Sequence, residues 1–168
     1  MNEAIFNQDE IIDVGSPTLD DLKQRAQMSP RGRFRLCLHH DTSAAVQEMI
    51  IVCRRGTYVR PHRHPPGNTE SYHVIEGEMT VYLFDDDGKV TRRIEMGQVG
   101  SGKSFLYRIA CDVWHLPVPT SDVVVYHEVY SGPFDKEVDV CYASWSPDDS
   151  DPQVVADYLD SLTTTKGR

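Results

Sequence analysis

Gly56-Thr57-Tyr58-Val59-Arg60-Pro61-His62-Arg63-His64-Pro65-Pro66-Gly67-Asn68-Thr69-Glu70 is the stretch on which the reading of this chain turns. His62 and His64 stand two apart in a run that reads as extended, so both imidazoles point to one face. Their Cα atoms are then about 6.6 Å apart, at about 3.3 Å per residue. Two imidazoles at that separation can converge on one ion. Pro65-Pro66-Gly67 turns the chain, and Glu70 returns on the next strand as a carboxylate. Two histidines and one carboxylate make the open facial set favoured by Fe(II).

Outward from this stretch, short β-rich runs follow one another at about residues 47–53, 57–64, 70–76, 78–84, 90–95, 104–109, 113–118, 123–130 and 138–144. Turn residues separate them, including the Asp85-Asp86-Asp87-Gly88 hairpin turn and Pro117 to Pro119. Short strands at such spacing predict an all-β sandwich or barrel. From Arg33 the chain alternates, with Phe34, Leu36 and Leu38 on one face and Arg33, Arg35, Cys37 and His39 on the other. Residues 1–15 lack a period and read as a loose strap, and a short helix follows from Ser16-Pro17-Thr18 to before Ser29-Pro30. A second helix begins at Ser150-Asp151-Pro152, with Val154, Val155, Tyr158, Leu159 and Leu162 as its apolar stripe and TTTKGR as a frayed tail. One domain is expected: strap and helix over 1–30, barrel over 31–147, and helix with tail over 148–168, packed on the same unit.

Composition narrows the function classes. The 168 residues carry 17 basic and 26 acidic side chains, a net charge of −9, which disfavours nucleic acid. The acid is concentrated at the ends. Residues 22–133 hold twelve acids and fourteen bases, so the middle can host an anionic small molecule. No apolar run approaches the about 20 residues of a membrane span, and MNEAIFNQDE is no signal peptide, so a cytoplasmic protein is expected. Cys37, Cys53, Cys111 and Cys141 form no C-x-x-C pair and read as buried free thiols.

The quoted stretch resembles the first cupin motif, G-x5-H-x-H-x(3,4)-E-x6-G, carried here by Gly56, His62, His64, Glu70 and Gly77, with one extra residue between His64 and Glu70. The second motif, G-x5-P-x-G-x2-H-x3-N, keeps only His115. Ser104, Ala110, Asp112 and Pro119 stand at its Gly, Pro, Gly and Asn. The resemblance implies a cupin double-stranded β-helix, a jelly-roll barrel, with His62, His64, Glu70 and His115 as ligands of one divalent transition metal, Fe, Zn, Ni or Mn. Over about residues 33–147, GTYVRPHRHP, VYLFDDDGKV, VWH, GPFD and the Ala143, Trp145, Pro147 pattern resemble the WbuC-type cupin-fold metalloproteins. That likeness implies a role linked to surface-polysaccharide (O-antigen, lipopolysaccharide) biosynthesis, and cupin resemblance makes a homodimer the default.

Strand parity offers further site residues. Tyr58 and Arg60 share the face of His62 and His64 if that strand is regular, and Tyr72 shares the face of Glu70. Arg60 suits a carboxylate or phosphate on a substrate, or pairs with a local acid at the barrel mouth. Tyr72 reads first as a packing residue. His73 has the opposite parity to Glu70 and replaces it only if the turn shifts the register. His127 reads as a surface or core histidine, and His39 and His40 as exposed in a turn. Three functions stay open. One is a metalloenzyme acting on a carbohydrate or small polar metabolite, as an isomerase, a lyase or an Fe(II) dioxygenase of a small organic acid. The others are a non-catalytic ligand-binding cupin and a metal-free epimerase using a barrel His as base and a Tyr as acid.

Overall fold

The computed structural model describes residues 3–110 and 112–164, so the expectations for Cys111 and for the tail beyond residue 164 lie outside the described residues. Two β-sheets face each other. The first runs β1 (Ala4–Phe6), β2 (Arg33–Cys37), β3 (Val46–Arg54), β10 (Val123–Ser131), β5 (Glu70–Glu76) and β8 (Leu106–Ile109) in spatial order. The second runs β11 (Cys141–Tyr142), β4 (His62–Arg63), β9 (Trp114–Pro119), β6 (Glu78–Phe84) and β7 (Val90–Gly97). All pairings are antiparallel except β1 with β2, where Ala4 sits opposite Arg35. This is a jelly roll, and its core lies between the sheets. Met49, Ile51, Tyr72, Val74 and Tyr126 from the first sheet meet Met79, Val81 and Met96 from the second.

The strap contributes a three-residue strand to the sheet edge. Helix α1 (Ser16–Met28) carries Pro17 in its first turn and buries Leu19, Leu22 and Ala26. These pack on Phe34 and Leu36 of β2 and on Ile50 and Val52 of β3. That contact fixes the direction of the alternation in β2. Its apolar face lies under α1, so Arg33, Arg35 and Cys37 look into the barrel. Helix α3 (Pro152–Thr164) starts where Asp151 Oδ1 accepts from the Gln153 amide at 2.9 Å, and its Val155 and Leu162 join Tyr82, Phe84, Trp114 and Leu116 on the outer face of the second sheet. Each buried aliphatic side chain there contributes about 2 kcal/mol.

Two expected strands contract. The run 57–64 forms a ladder only at β4, because Pro61 and Pro65 remove donors and the Thr57 to Pro61 segment leaves the sheet. The run 138–144 becomes helix α2 (Lys136–Asp139) followed by the two-residue β11, since the Asp135 side chain caps the Glu137 amide. Cys37 and Cys53 are buried free thiols as expected, but Cys141 is exposed, because β11 is an edge strand.

One residue, Gly77, carries the chain from β5 in one sheet to β6 in the other. Its φ is +76°, and a Cβ there would lie 2.2 Å from the Val123 carbonyl oxygen. Only glycine fits that corner.

Candidate metal centre

His62 lies on β4, directly across the ladder from His115 on β9. His64 follows one residue beyond β4, and Glu70 opens β5 on the facing sheet. Each of the four buried side chains offers one ligand atom, and these atoms lie within 4.8 Å of one another. The pairing His62 to His115 brings the one surviving residue of the degenerate second motif onto the first. The other missing element of that motif has a local substitute. Asp112 stands where the motif has glycine, and it takes the left-handed conformation, φ 63°. A short polar side chain tolerates that region better than most. Asp112 also ties the turn to β4, its amide donating to the His64 carbonyl at 3.1 Å and its Oδ1 lying 3.3 Å from Arg63.

The hydrogen bonds fix how the imidazoles face. His62 Nδ1 donates to the Arg60 carbonyl at 2.9 Å, His115 Nδ1 to the Val113 carbonyl at 3.0 Å, and His64 Nδ1 to the Asp139 carbonyl at 2.7 Å. A carbonyl only accepts, so each Nδ1 carries the proton and each Nε2 is left with a lone pair. His115 Nε2 lies 3.1 Å from Glu70 Oε2, and His64 Nε2 lies 3.4 Å from Glu70 Oε1. In the neutral tautomer these are acceptors facing acceptors. His64 Nε2, His115 Nε2 and Glu70 Oε2 are accordingly buried without a hydrogen bond. Buried unsatisfied acceptors are expensive, and a cation is the group that satisfies all of them at once.

The titration of the cluster divides the imidazoles. Burial drives the His62 pKa down to about 3, and the neighbouring His115 adds to the drop. Burial favours the neutral form of His64 too, but hydrogen bonding and charge from Glu70 outweigh it and hold its pKa above the ordinary value. Burial opposes the charge on Glu70, yet His115 and His64 hold its carboxyl below the usual carboxylate range. The site therefore keeps an ionised carboxylate beside a neutral His62, while a proton drawn onto His64 by Glu70 is one that an incoming cation has to displace.

Around this cluster opens a cavity of about 770 Å³ lined by His62, His64, Glu70, Arg60 and Tyr72. Tyr72 is buried against Tyr107 and Tyr126, each ring centroid 5.1 Å away, and burial raises its pKa well above the ordinary value. Arg60 is anchored, donating to the Ala143 carbonyl at 2.8 Å and to Ser146 Oγ at 3.2 Å, with its guanidinium 5.6 Å from the Tyr142 ring centroid. Tyr58 is not brought to the cavity. Because the Thr57 to Pro61 segment is no regular strand, its ring turns outward to Tyr158 and its hydroxyl donates to the Pro147 carbonyl at 2.8 Å.

The remaining histidines lie elsewhere. His73 and His127 face each other across β5 and β10, ring centroids 5.5 Å apart, with the opposite parity to Glu70 and Glu128. His39 departs from the exposed turn expected for it. It is half-buried, its Nδ1 is 3.0 Å from the Glu48 backbone, its ring meets the edge of Phe6, and it lines the cavity.

Sequence reasoning missed the supports. The residue added to the turn between His64 and Glu70 makes room for Asn68, whose amide donates to Asp139 Oδ1 at 2.9 Å and to the Tyr130 hydroxyl at 2.7 Å. Asp139 is the residue whose carbonyl orients His64. The motif's unusual spacing was the visible signal, but its meaning depends on a residue 71 positions away.

Solved structures share this architecture, among them the following two at TM-scores above one half. A protein from Shewanella oneidensis superposes with a TM-score of 0.56 at 15% identity, covering 73% of this chain and 82% of that one. Oxalate oxidase in complex with the substrate analogue glycolate gives 0.52 at 16% identity, covering 82% and 68%. An RmlC-like cupin family protein with a double-stranded β-helix fold, from Methanocaldococcus jannaschii, gives a lower 0.40 at 21% identity, covering 52% and 72%. The fold is the jelly roll that the first two of these structures share with this chain. At these identities the likeness is one of fold alone. Residues 14–96, just under half of the chain, match a family described as a domain of unknown function, DUF6016. No curated protein matches the sequence. No helix among the described residues is long and apolar enough to cross a membrane.

Proposed function

We propose that this cupin is a metal-dependent enzyme acting on a small polar metabolite, with His62, His64, Glu70 and His115 holding one divalent transition metal. One observation carries the reading. Three backbone carbonyls each take an Nδ1 proton, so three Nε2 lone pairs converge on the buried Glu70 carboxylate. A divalent ion held there supplies a Lewis acid that polarises a carbonyl or hydroxyl oxygen. Four protein ligands leave coordination positions free on ions that take five or six, and the cavity gives a metabolite access to that side. Tyr72 and Arg60 line the approach, and Arg60, held rigid by Ala143 and Ser146, orients a bound polar group.

The finer assignment, a WbuC-type protein serving surface-polysaccharide chemistry, rests on the sequence pattern ending at Ala143, Trp145 and Pro147. In the fold Ala143 and Trp145 pack on the second sheet, Trp145 lying 5.1 Å from Phe84 between ring centroids, and the Pro147 carbonyl accepts from Tyr58. A homodimer belongs to the same proposal. Its support is the outer edge at β8, where Phe105 and Leu106 are 48% and 43% exposed, and sedimentation velocity tests it.

The deciding experiment is elemental analysis of protein purified without an affinity tag, beside a His62→Ala/His64→Ala variant. About one equivalent of Fe, Mn, Ni or Zn per chain, lost in the variant, is expected from a complete ligand set. Retention of the metal by the variant, or failure of the parent protein to take up any after reconstitution, overturns the proposal.

A further inference from the structure

The cavity has a second chemical half. Arg33 and Arg35 project into it from β2, opposite the inward-facing Cys53 and Ile51 of β3. None of the ion pairs among the described residues involves either arginine. Arg33 Nε is buried and has no hydrogen-bond partner. A half-buried guanidinium whose buried Nε–H lacks an acceptor is costly. Of the acids that line the same cavity, Glu3 pairs with Arg31, Asp148 and Asp149 stand with Arg60 in the lining, Glu70 belongs to the histidine cluster, and Glu128 on β10 sits beside Tyr72 of β5 in the ladder. With Glu3 taken up by Arg31, Glu128 is left to face both Arg33 and Arg35, at most one negative charge against two positive ones, so this pair of guanidiniums keeps a net positive charge. The guanidinium fork matches a planar or tetrahedral oxyanion.

We propose that Arg33 and Arg35 form the anion-binding half of the site, so that the metabolite taken by this cupin carries an oxyanion, a carboxylate or a phosphate ester, at the end remote from the metal. This deepens the metalloenzyme reading and rests on it for the reacting end only. The span also bears on substrate size. In sheet order β2 and β5 are three strand steps apart, about 14 Å along the sheet at about 4.8 Å per step before curvature and side-chain reach shorten it. An acid with several atoms between its anionic group and its metal-binding group suits this spacing better than a two-carbon acid.

Calorimetric titration with two charged probes and their neutral counterparts tests it: succinate against succinamide, and glucose 1-phosphate against glucose. Each is titrated into metal-loaded and chelator-treated protein. At least one charged probe binds in both preparations, and more tightly than its neutral counterpart. The probe that binds identifies the carboxylate or the phosphate as the preferred source. Arg33→Gln and Arg35→Gln each weaken that binding about tenfold or more, the loss of about one charge-assisted contact, while Arg33→Lys retains part of it. Glu128→Gln tightens it, an opposite sign that damage to the fold does not produce. Charged probes that bind no better than the neutral ones, or folded Arg35→Gln and Glu128→Gln variants that bind as the parent does, overturn the proposal. Loss of the metal with retained anion binding sinks only the metal reading.

Discussion

Glu128 gives a stability measurement whose sign and size follow from its surroundings. Burial is the first cause that raises its carboxyl from the ordinary 4.5, and Glu70 on β5 adds to it. Arg33 and Arg35 from β2 and His64 oppose, and the balance stands at about 7. Tyr72 from β5 and Met49 from β3 flank it in the ladder. A carboxyl with a raised folded-state pKa holds a proton that the unfolded chain releases. Its contribution is therefore complete below pH 4.5 and is lost as pH rises through 7. At about 1.4 kcal/mol per pH unit, the ionised side chain costs the fold up to about 3 kcal/mol at pH 8. Glu128→Gln removes that cost. In chelator-treated protein, urea unfolding at pH 8 is expected to show the variant more stable by up to about 3 kcal/mol, or about 6–12 °C in Tm for a chain of this size. At pH 5 the difference shrinks to below about 1 kcal/mol, since the folded state still holds the proton and pH 5 lies only half a unit above the value at which the unfolded chain releases it. A variant no more stable than the parent at pH 8, or an advantage that does not change with pH, refutes the account of Glu128 as a buried, destabilising charge.

Other substitutions probe the frame of the site. Gly77→Ala forces a Cβ to 2.2 Å from the Val123 carbonyl at a positive φ, so unfolding is expected to come easier by about 3 kcal/mol or more in urea titration. Asp112→Gly and Asp112→Ala should move Tm in opposite directions: glycine relieves the left-handed backbone, and alanine carries about 1–2 kcal/mol of strain there. Leu116, fully buried between the outer cluster and β6, is expected to cost about 2–5 kcal/mol when cut to alanine, read by equilibrium unfolding. Asn68→Ala touches no ligand, yet a competition titration against a chromophoric chelator should show metal affinity reduced about tenfold, because Asp139 keeps only the Asp135 amide as side-chain partner and the carbonyl that orients His64 is held less firmly. Unchanged affinity removes Asn68 from the support of the site.

What the sequence made legible follows from how local each signal is. Both terminal helices could be read because their start signals, Pro17 and Asp151-Pro152, act within one turn. Most strands could be read from turn punctuation and short apolar runs. The segment 57–64 misled because alternation is visible in sequence while the cost of two prolines to a ladder is settled by the neighbouring strand. Tyr58 went to the wrong face for that reason. Arg33 and Arg35 were visible as one side of an alternating strand. Which side looks inward depends on α1 covering Phe34 and Leu36, a contact between elements rather than within one. The left-handed turn of the second motif survived the loss of its glycine because Asp112 can adopt that conformation, so the pattern looked weaker in letters than it is in geometry.

The carbonyl partners of the three histidines also divide the site by the order in which the chain can assemble it. His62 and His115 are each oriented by a carbonyl two residues earlier in their own segment, so those two are set as soon as β4 and β9 pair. His64 waits for Asp139, 75 positions downstream. On a ribosome, a chain that has emerged only through β9 holds two aimed imidazoles and one free to rotate. Tight capture of an ion is deferred until the last third of the polypeptide has docked. On the proposed metal reading, uptake of the ion would mark a molecule whose C-terminal portion is already in place.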